Sequence, residues 1–170
     1  IGAVTAEPAG NYALVKNDKA RKRPFSKSPM DLTFNGNLEG LGNTIDRLSL
    51  SPHKGWAGMI STIGADATVR DLALTNVTID AYSHQYGGLR DVGALADISN
   101  GTLDNIYVSG TLTTANNYEA MFGLVAGTSN GAVTHVAAAG ATTVSGTNNS
   151  AGGLFGFAGA EIGNPLIWSH

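Results

Sequence analysis

The densest group of side chains able to recognise a ligand lies at residues 82–90, with Tyr82, Ser83, His84, Gln85, Tyr86 and Arg90. Tyrosine presents an apolar ring with a polar tip and arginine a planar fork of donors, so the set suits a sugar face or a partner protein. We assign ligand binding to Tyr82, His84, Gln85, Tyr86 and Arg90; the competing reading folds the tyrosine rings onto a neighbouring structural layer. A second possible chemistry is acid/base work by Asp71 and Asp104, which in glycoside hydrolysis needs two carboxyls ~5–9.5 Å apart. Asp71 has Arg47 as a prospective charge partner, which favours a surface ladder instead. His53, His84, His135 and His170 show no metal-ligand spacing, and cysteine is absent, so thiolate catalysis and Cys-based zinc are excluded. No Gly-x-Ser-x-Gly elbow and no calcium-loop spacing occurs. The expectation is no catalytic residue, no metal, no cofactor and no enzymatic activity.

The elements that must position this corner repeat along the chain. A glycine followed by two apolar residues returns at Gly58-Met59-Ile60, Gly93-Ala94-Leu95, Gly123-Leu124-Val125 and Gly153-Leu154-Phe155, at spacings of 35, 30 and 30. A second string, apolar-x-x-apolar-x-apolar, occurs at Ile45-Leu48-Leu50, Val69-Leu72-Leu74, Leu103-Ile106-Val108 and Val133-Val136-Ala138. The last three begin 11, 10 and 10 residues after their glycines, so both markers belong to one unit. A unit of about 30 residues with period-2 alternation cannot bury its face alone and must stack on its neighbours. Each unit reads as three short strands with Gly and Asn corners: residues 93–98, a turn at Ser99-Asn100-Gly101, residues 103–108, and a third strand after Gly110. This predicts an all-β solenoid, a parallel β-helix of four to five coils.

Composition agrees. Glycine makes up 23 of 170 residues and charged residues only 14%, as turn-rich strands require. There is no apolar run of ~18 residues, so membrane insertion is not expected. The net charge of −3 conceals an uneven spread: Lys16, Lys19, Arg21, Lys22, Arg23 and Lys27 crowd the N-terminal part. With Phe25 as its only aromatic, this basic stretch is a solvated loop and no nucleic-acid partner is expected. The predicted organisation is a single domain: an irregular first-coil region at 1–44 with a basic loop at 16–29, coils at 45–160, and a truncated last coil or cap at 161–170. Pro165 marks that last piece as a break or edge, and the whole reads as an excised piece of a larger protein whose flanking domains are partners.

Asn11-Tyr12-Ala13-Leu14, the run from Phe34-Asn35-Gly36 through Glu39-Gly40-Leu41-Gly42-Asn43-Thr44-Ile45, and Leu48-Ser49-Leu50 resemble the opening of Gly-Leu-x-Gly ("GLUG") repeat regions. Filamentous-haemagglutinin-type bacterial exoproteins are the nearest kin, and Gly153-Leu154-Phe155-Gly156 matches the repeat phrase fully. The resemblance spans about residues 11–160. It implies a right-handed parallel β-helix in a secreted adhesin at the bacterial cell surface, associated with the outer membrane, with a host or surface glycan or protein receptor as partner.

Lining up the outward positions gives one column of Asp46, Arg70, Asp104 and Thr134 and another of Arg47, Asp71, Asn105 and His135. Stacking would pair Asp46 with Arg70 and Arg47 with Asp71. Asn116-Asn117 and Asn148-Asn149 would form an amide ladder at a corner. The alternatives are a polysaccharide-active β-helix enzyme, a non-catalytic accessory beside a secreted peptidase, and ice binding through Thr113-Thr114 and Thr142-Thr143. The last is weakened by Ile79-Asp80 in the same row.

Overall fold

A computed structural model describes residues 2–20, 23–53, 55–83, 89–116, 119–159, 162–163 and 166–169. The chain winds as a parallel β-solenoid of about 5 turns, with 64% strand and 3% helix. Among the described residues every strand pairing is parallel, because each strand bonds to its counterpart one coil away.

Three sheets result. The long sheet stacks Asn37–Glu39, Thr68–Ser83, Thr102–Asn116 and Val133–Ser145, with shorter strands at its ends. The five-stranded sheet stacks Met30–Phe34, Ile60–Ile63, Ala96–Ser99, Ala126–Ser129 and Phe155–Ala158. The four-stranded sheet stacks Gly55–Ala57, Leu89–Val92, Ala120–Gly123 and Asn149–Gly152. The second and third strands expected in each coil merge into one long strand that bends without breaking. Asp71, Asn105 and His135 supply one bend, with φ of 53°, 52° and 52°. Asx and His side chains tolerate this left-handed conformation better than most, which explains their column.

The core is made of stacked apolar columns. Val69, Leu103 and Val133 lie in register, as do Leu72, Ile106 and Val136, and all are buried. Each fully buried Leu, Ile or Val contributes about 1.5–3 kcal/mol relative to exposure. The repeated glycines have a steric reason. They sit where the four-stranded sheet turns into the five-stranded one, and a Cβ on Gly93 would lie 2.3 Å from Ala126 Cα in the next coil.

Two markers shift. Val69 pairs with Leu38, whereas Ile45 pairs with Leu74 and Leu50 with Ile79, so the string at Ile45 is not equivalent to that at Val69. The stretch Gly40-Leu41-Gly42-Asn43 interrupts the first coil between Asn37–Glu39 and Thr44–Asp46 and moves the phase. At the other end Gly123 pairs with Gly152, not Gly153, which places Ile162 opposite Val133.

Candidate functional site

The outer face of the long sheet is a ladder of short polar contacts. The pairing of Asp46 with Arg70 does not form; Asp46 lies beside Thr75, accepting hydrogen bonds from Thr75 Oγ1 (3.1 Å) and Asn76 Nδ2 (2.7 Å). Arg47 pairs with its neighbour Asp46 at 3.3 Å, not with Asp71. The shifted first coil instead puts Glu39 beside Arg70, joined at 2.5 Å. Asp71 accepts from Asn105 Nδ2 at 2.5 Å. Asp104 meets Thr134 Oγ1 at 2.7 Å and His135 Nδ1 at 3.0 Å, contacts that hold its carboxyl below the usual range, the histidine contact most. Asp71 and Asp104 are thus each occupied by the coil above.

The corner at 82–90 divides. His84, Gln85 and Tyr86 lie outside the described residues. Tyr82 packs edge-on against His53 of the preceding coil, ring centroids 4.6 Å apart, while Arg90 lies on the four-stranded sheet. At the asparagine corners Asn117 lies outside the described residues, and the backbone of Asn149 pairs with Ala120. An amide contact forms instead between Asn130 Nδ2 and Asn100 Oδ1 at 2.9 Å. Thr113 pairs with Thr143 and with Asp80, which interrupts the threonine row as expected.

The arrangement with the most chemical potential is one that sequence reasoning missed. The outer faces of the five- and four-stranded sheets meet at a concave angle running along the solenoid axis. Within it lies a hollow of about 340 Å³ lined by Asp31, Trp56, Ser61, Thr62 and Asp97. A second, of about 230 Å³, is lined by Arg90, Asp91, Glu119, Met121, Thr128 and Phe157. The two lie on successive coils, since Ile98, which also lines the first, pairs in register with Thr128 of the second.

Asp97 sits at the vertex. Its position in Ala96–Ser99 is outward, since Ala96 and Ser99 on either side of the Asp97-Ile98 pair are buried with the core, yet only 1% of Asp97 is exposed. Ser28 Oγ reaches its two oxygens at 3.3 and 3.4 Å and itself accepts from the Gly58 amide at 3.2 Å. Burial pushes the Asp97 carboxyl up to about 8, against the opposing hydrogen bonds of Ser61 and Ser28; Asp91 and Asp31 add to the rise. Burial also raises Asp91, which accepts from Thr128 Oγ1 at 2.6 Å. Asp31 goes the other way, lowered chiefly by Lys27 at 2.8 Å. The corner therefore sets a carboxyl raised by desolvation beside one lowered by a cation.

Two half-exposed rings flank these groups: Trp56 and Phe157, each 50% exposed. The sequence did carry one signal for the groove. The outward column through Asp97 runs Ser61, Asp97, Gly127 and Gly156, small residues throughout apart from the aspartate. A Cβ on Gly127 would lie 2.7 Å from Asp91 Cβ, so the smallness of that column lets the two sheets fold together. Among the described residues no cluster of three or more metal-ligating side chains occurs, and no helix is long and apolar enough to cross a membrane.

Comparison with known proteins gives one informative relative. The chain is 33% identical over 120 residues to Halomucin of Haloquadratum walsbyi, an alignment that takes in 64% of this chain and 1% of Halomucin. No family model matches, and no solved structure does.

Proposed function

We propose that this chain is a segment of a secreted or surface-exposed adhesin, a β-helical rod that holds binding groups at fixed spacing for attachment to a glycan or protein ligand. The observation that carries the reading is the solenoid itself: stacked coils repeat outward side chains in fixed columns, giving an extended and rigid binding face. The β-solenoid and the similarity to Halomucin, whose name is that of a mucin, are compatible with an extracellular rod-like role. Kinship with GLUG-repeat exoproteins, a bacterial origin and outer-membrane association extend the same reading and rest on the sequence phrases alone. No catalytic step is assigned to the chain.

A second reading, a polysaccharide-active enzyme, gains one observation: Asp31, Asp91 and Asp97 converge on one groove, and raised and lowered carboxyls together are what acid catalysis of glycoside cleavage uses. A panel of immobilised glycans and cell-surface proteins, read for both bound protein and released sugar, separates the two. Saturable binding without release is the expected result. Released reducing ends would replace the adhesin reading with the enzyme, and silence in both channels would leave a spacer.

A further inference from the structure

We infer that the concave corner between the five- and four-stranded sheets is a binding groove for an extended, electrically neutral glycan chain, with Trp56 and Phe157 as its apolar platforms and Asp91 and Arg90 as its hydrogen-bonding groups. The inference rests on the attachment reading and gives it a site and a ligand class.

Shape comes first. The two hollows are lined from Asp31 in the first coil to Phe157 in the fifth, and adjoin where Ile98 of one pairs with Thr128 of the other. Four inter-coil steps of ~4.8 Å make a trough of about 19 Å, long enough for a short run of pyranose rings laid end to end. Its walls are strands bonded on both sides, such as Ala96–Ser99 between Ile60–Ile63 and Ala126–Ser129. A peptide adding itself as a further strand finds no open edge there, so recognition falls to side chains.

Those side chains suit a sugar. A pyranose has an apolar C–H face, which Trp56 and Phe157 are exposed to receive, and an equator of hydroxyls that both donate and accept. Asp91 accepts and Arg90 donates. Thr128 holds the Asp91 carboxyl in place before any ligand arrives, which limits the ordering cost of binding. Charge decides the class. Asp31 is neutralised by Lys27, leaving Asp91 and Glu119 against Arg90, so the trough has no cationic surplus to receive a uronate or sulfate.

The test is titration calorimetry of the chain with hydroxyethylcellulose, xyloglucan, galactomannan and soluble starch as neutral probes, and polygalacturonate and heparin as anionic ones. The account expects saturable binding of at least one neutral probe, none of the anionic ones, and no reducing ends formed. The W56A/F157A double variant is expected to lose about tenfold or more in affinity. Thr62→Arg fills the trough without touching the core and is expected to do the same should the double variant fail to fold by circular dichroism. Trp56→Phe restores most of the binding. Undiminished neutral binding by the folded groove variants, a preference for anionic probes, or binding of no probe each overturns the groove. A groove variant that still adheres to whole cells overturns the groove and leaves the attachment reading standing; loss of adhesion by the unmodified chain overturns the attachment reading itself.

Discussion

Asp104 and Asp97 occupy outward positions on neighbouring strands of one coil, yet they live in opposite worlds. Asp104, on the open face of the long sheet, accepts from Thr134 and His135 and is held below the usual carboxylate range. Asp97, at the vertex of the concave corner, is removed from water and pushed up to about 8. The difference is not in residue type or position on the strand but in the angle between sheets. An open sheet face spends its charges on register, through contacts of modest individual worth; a closed corner converts the same side chain into a desolvated group with a chemical state of its own.

The largest expected effect comes from breaking the corner. Gly127→Ala places a methyl 2.5 Å from Val92 N and 2.7 Å from Asp91 Cβ, forcing the sheets apart. Overpacking of this kind costs about 1–3 kcal/mol, so urea denaturation is expected to show a clear loss of stability.

Asp97→Asn sharpens the comparison through pH. A buried acid whose folded pKa is raised binds more protons folded than unfolded between its ordinary value of 3.8 and about 8. Its contribution is therefore fully favourable below 3.8, falls as pH rises through that window, and is flat above it. The asparagine variant removes this slope and is expected to be the more stable protein at pH 9. Equal pH dependence of the two, followed by thermal melts from pH 4 to 9, would show that Asp97 is solvated.

A smaller effect concerns the core. The hydroxyls of Ser99 and Ser129, paired in register inside the five-stranded sheet, have no hydrogen-bond partner. Ser99→Ala removes an unsatisfied buried group and is expected to be neutral or stabilising by up to ~1 kcal/mol in urea titration. The smallest effect belongs to the open ladder. His135→Asn keeps a residue suited to the left-handed bend and leaves Asp104 with Thr134 still donating, and the melting midpoint is expected to stay where it is.

How much of this was legible in the sequence follows from the same contrast. The inward strings at Val69, Leu103 and Val133 are visible because burial repeats the same apolar spacing in each coil, its first step widened to three by the left-handed bend, and the structure stacks them as read. Gly58, Gly93 and Gly123 are visible because a neighbouring backbone occupies the place of a side chain. The first coil misled because Gly40-Leu41-Gly42-Asn43 inserts between two strands and moves every later pairing, so that Glu39 and not Asp46 meets Arg70. At Gly152-Gly153 two adjacent glycines offered two phases, and the pairing with Gly123 selects the first. The groove was hidden for a different reason. Asp97 reads as an ordinary outward residue, and Trp56, Asp91 and Phe157 lie far from it in sequence; only the dihedral angle between two sheets brings them together. The trace it left was the column of small residues at Ser61, Gly127 and Gly156, legible once the coils are aligned.

The central claim is that recognition belongs to the concave corner and the open ladder is structural. Hydrogen–deuterium exchange with and without saturating neutral polysaccharide tests it most directly. Added protection is expected in Gly55–Ala57, Leu89–Val92 and Ala96–Ser99, with Val133–Ser145 unchanged. Protection confined to Val133–Ser145 and its neighbours in the long sheet would contradict it.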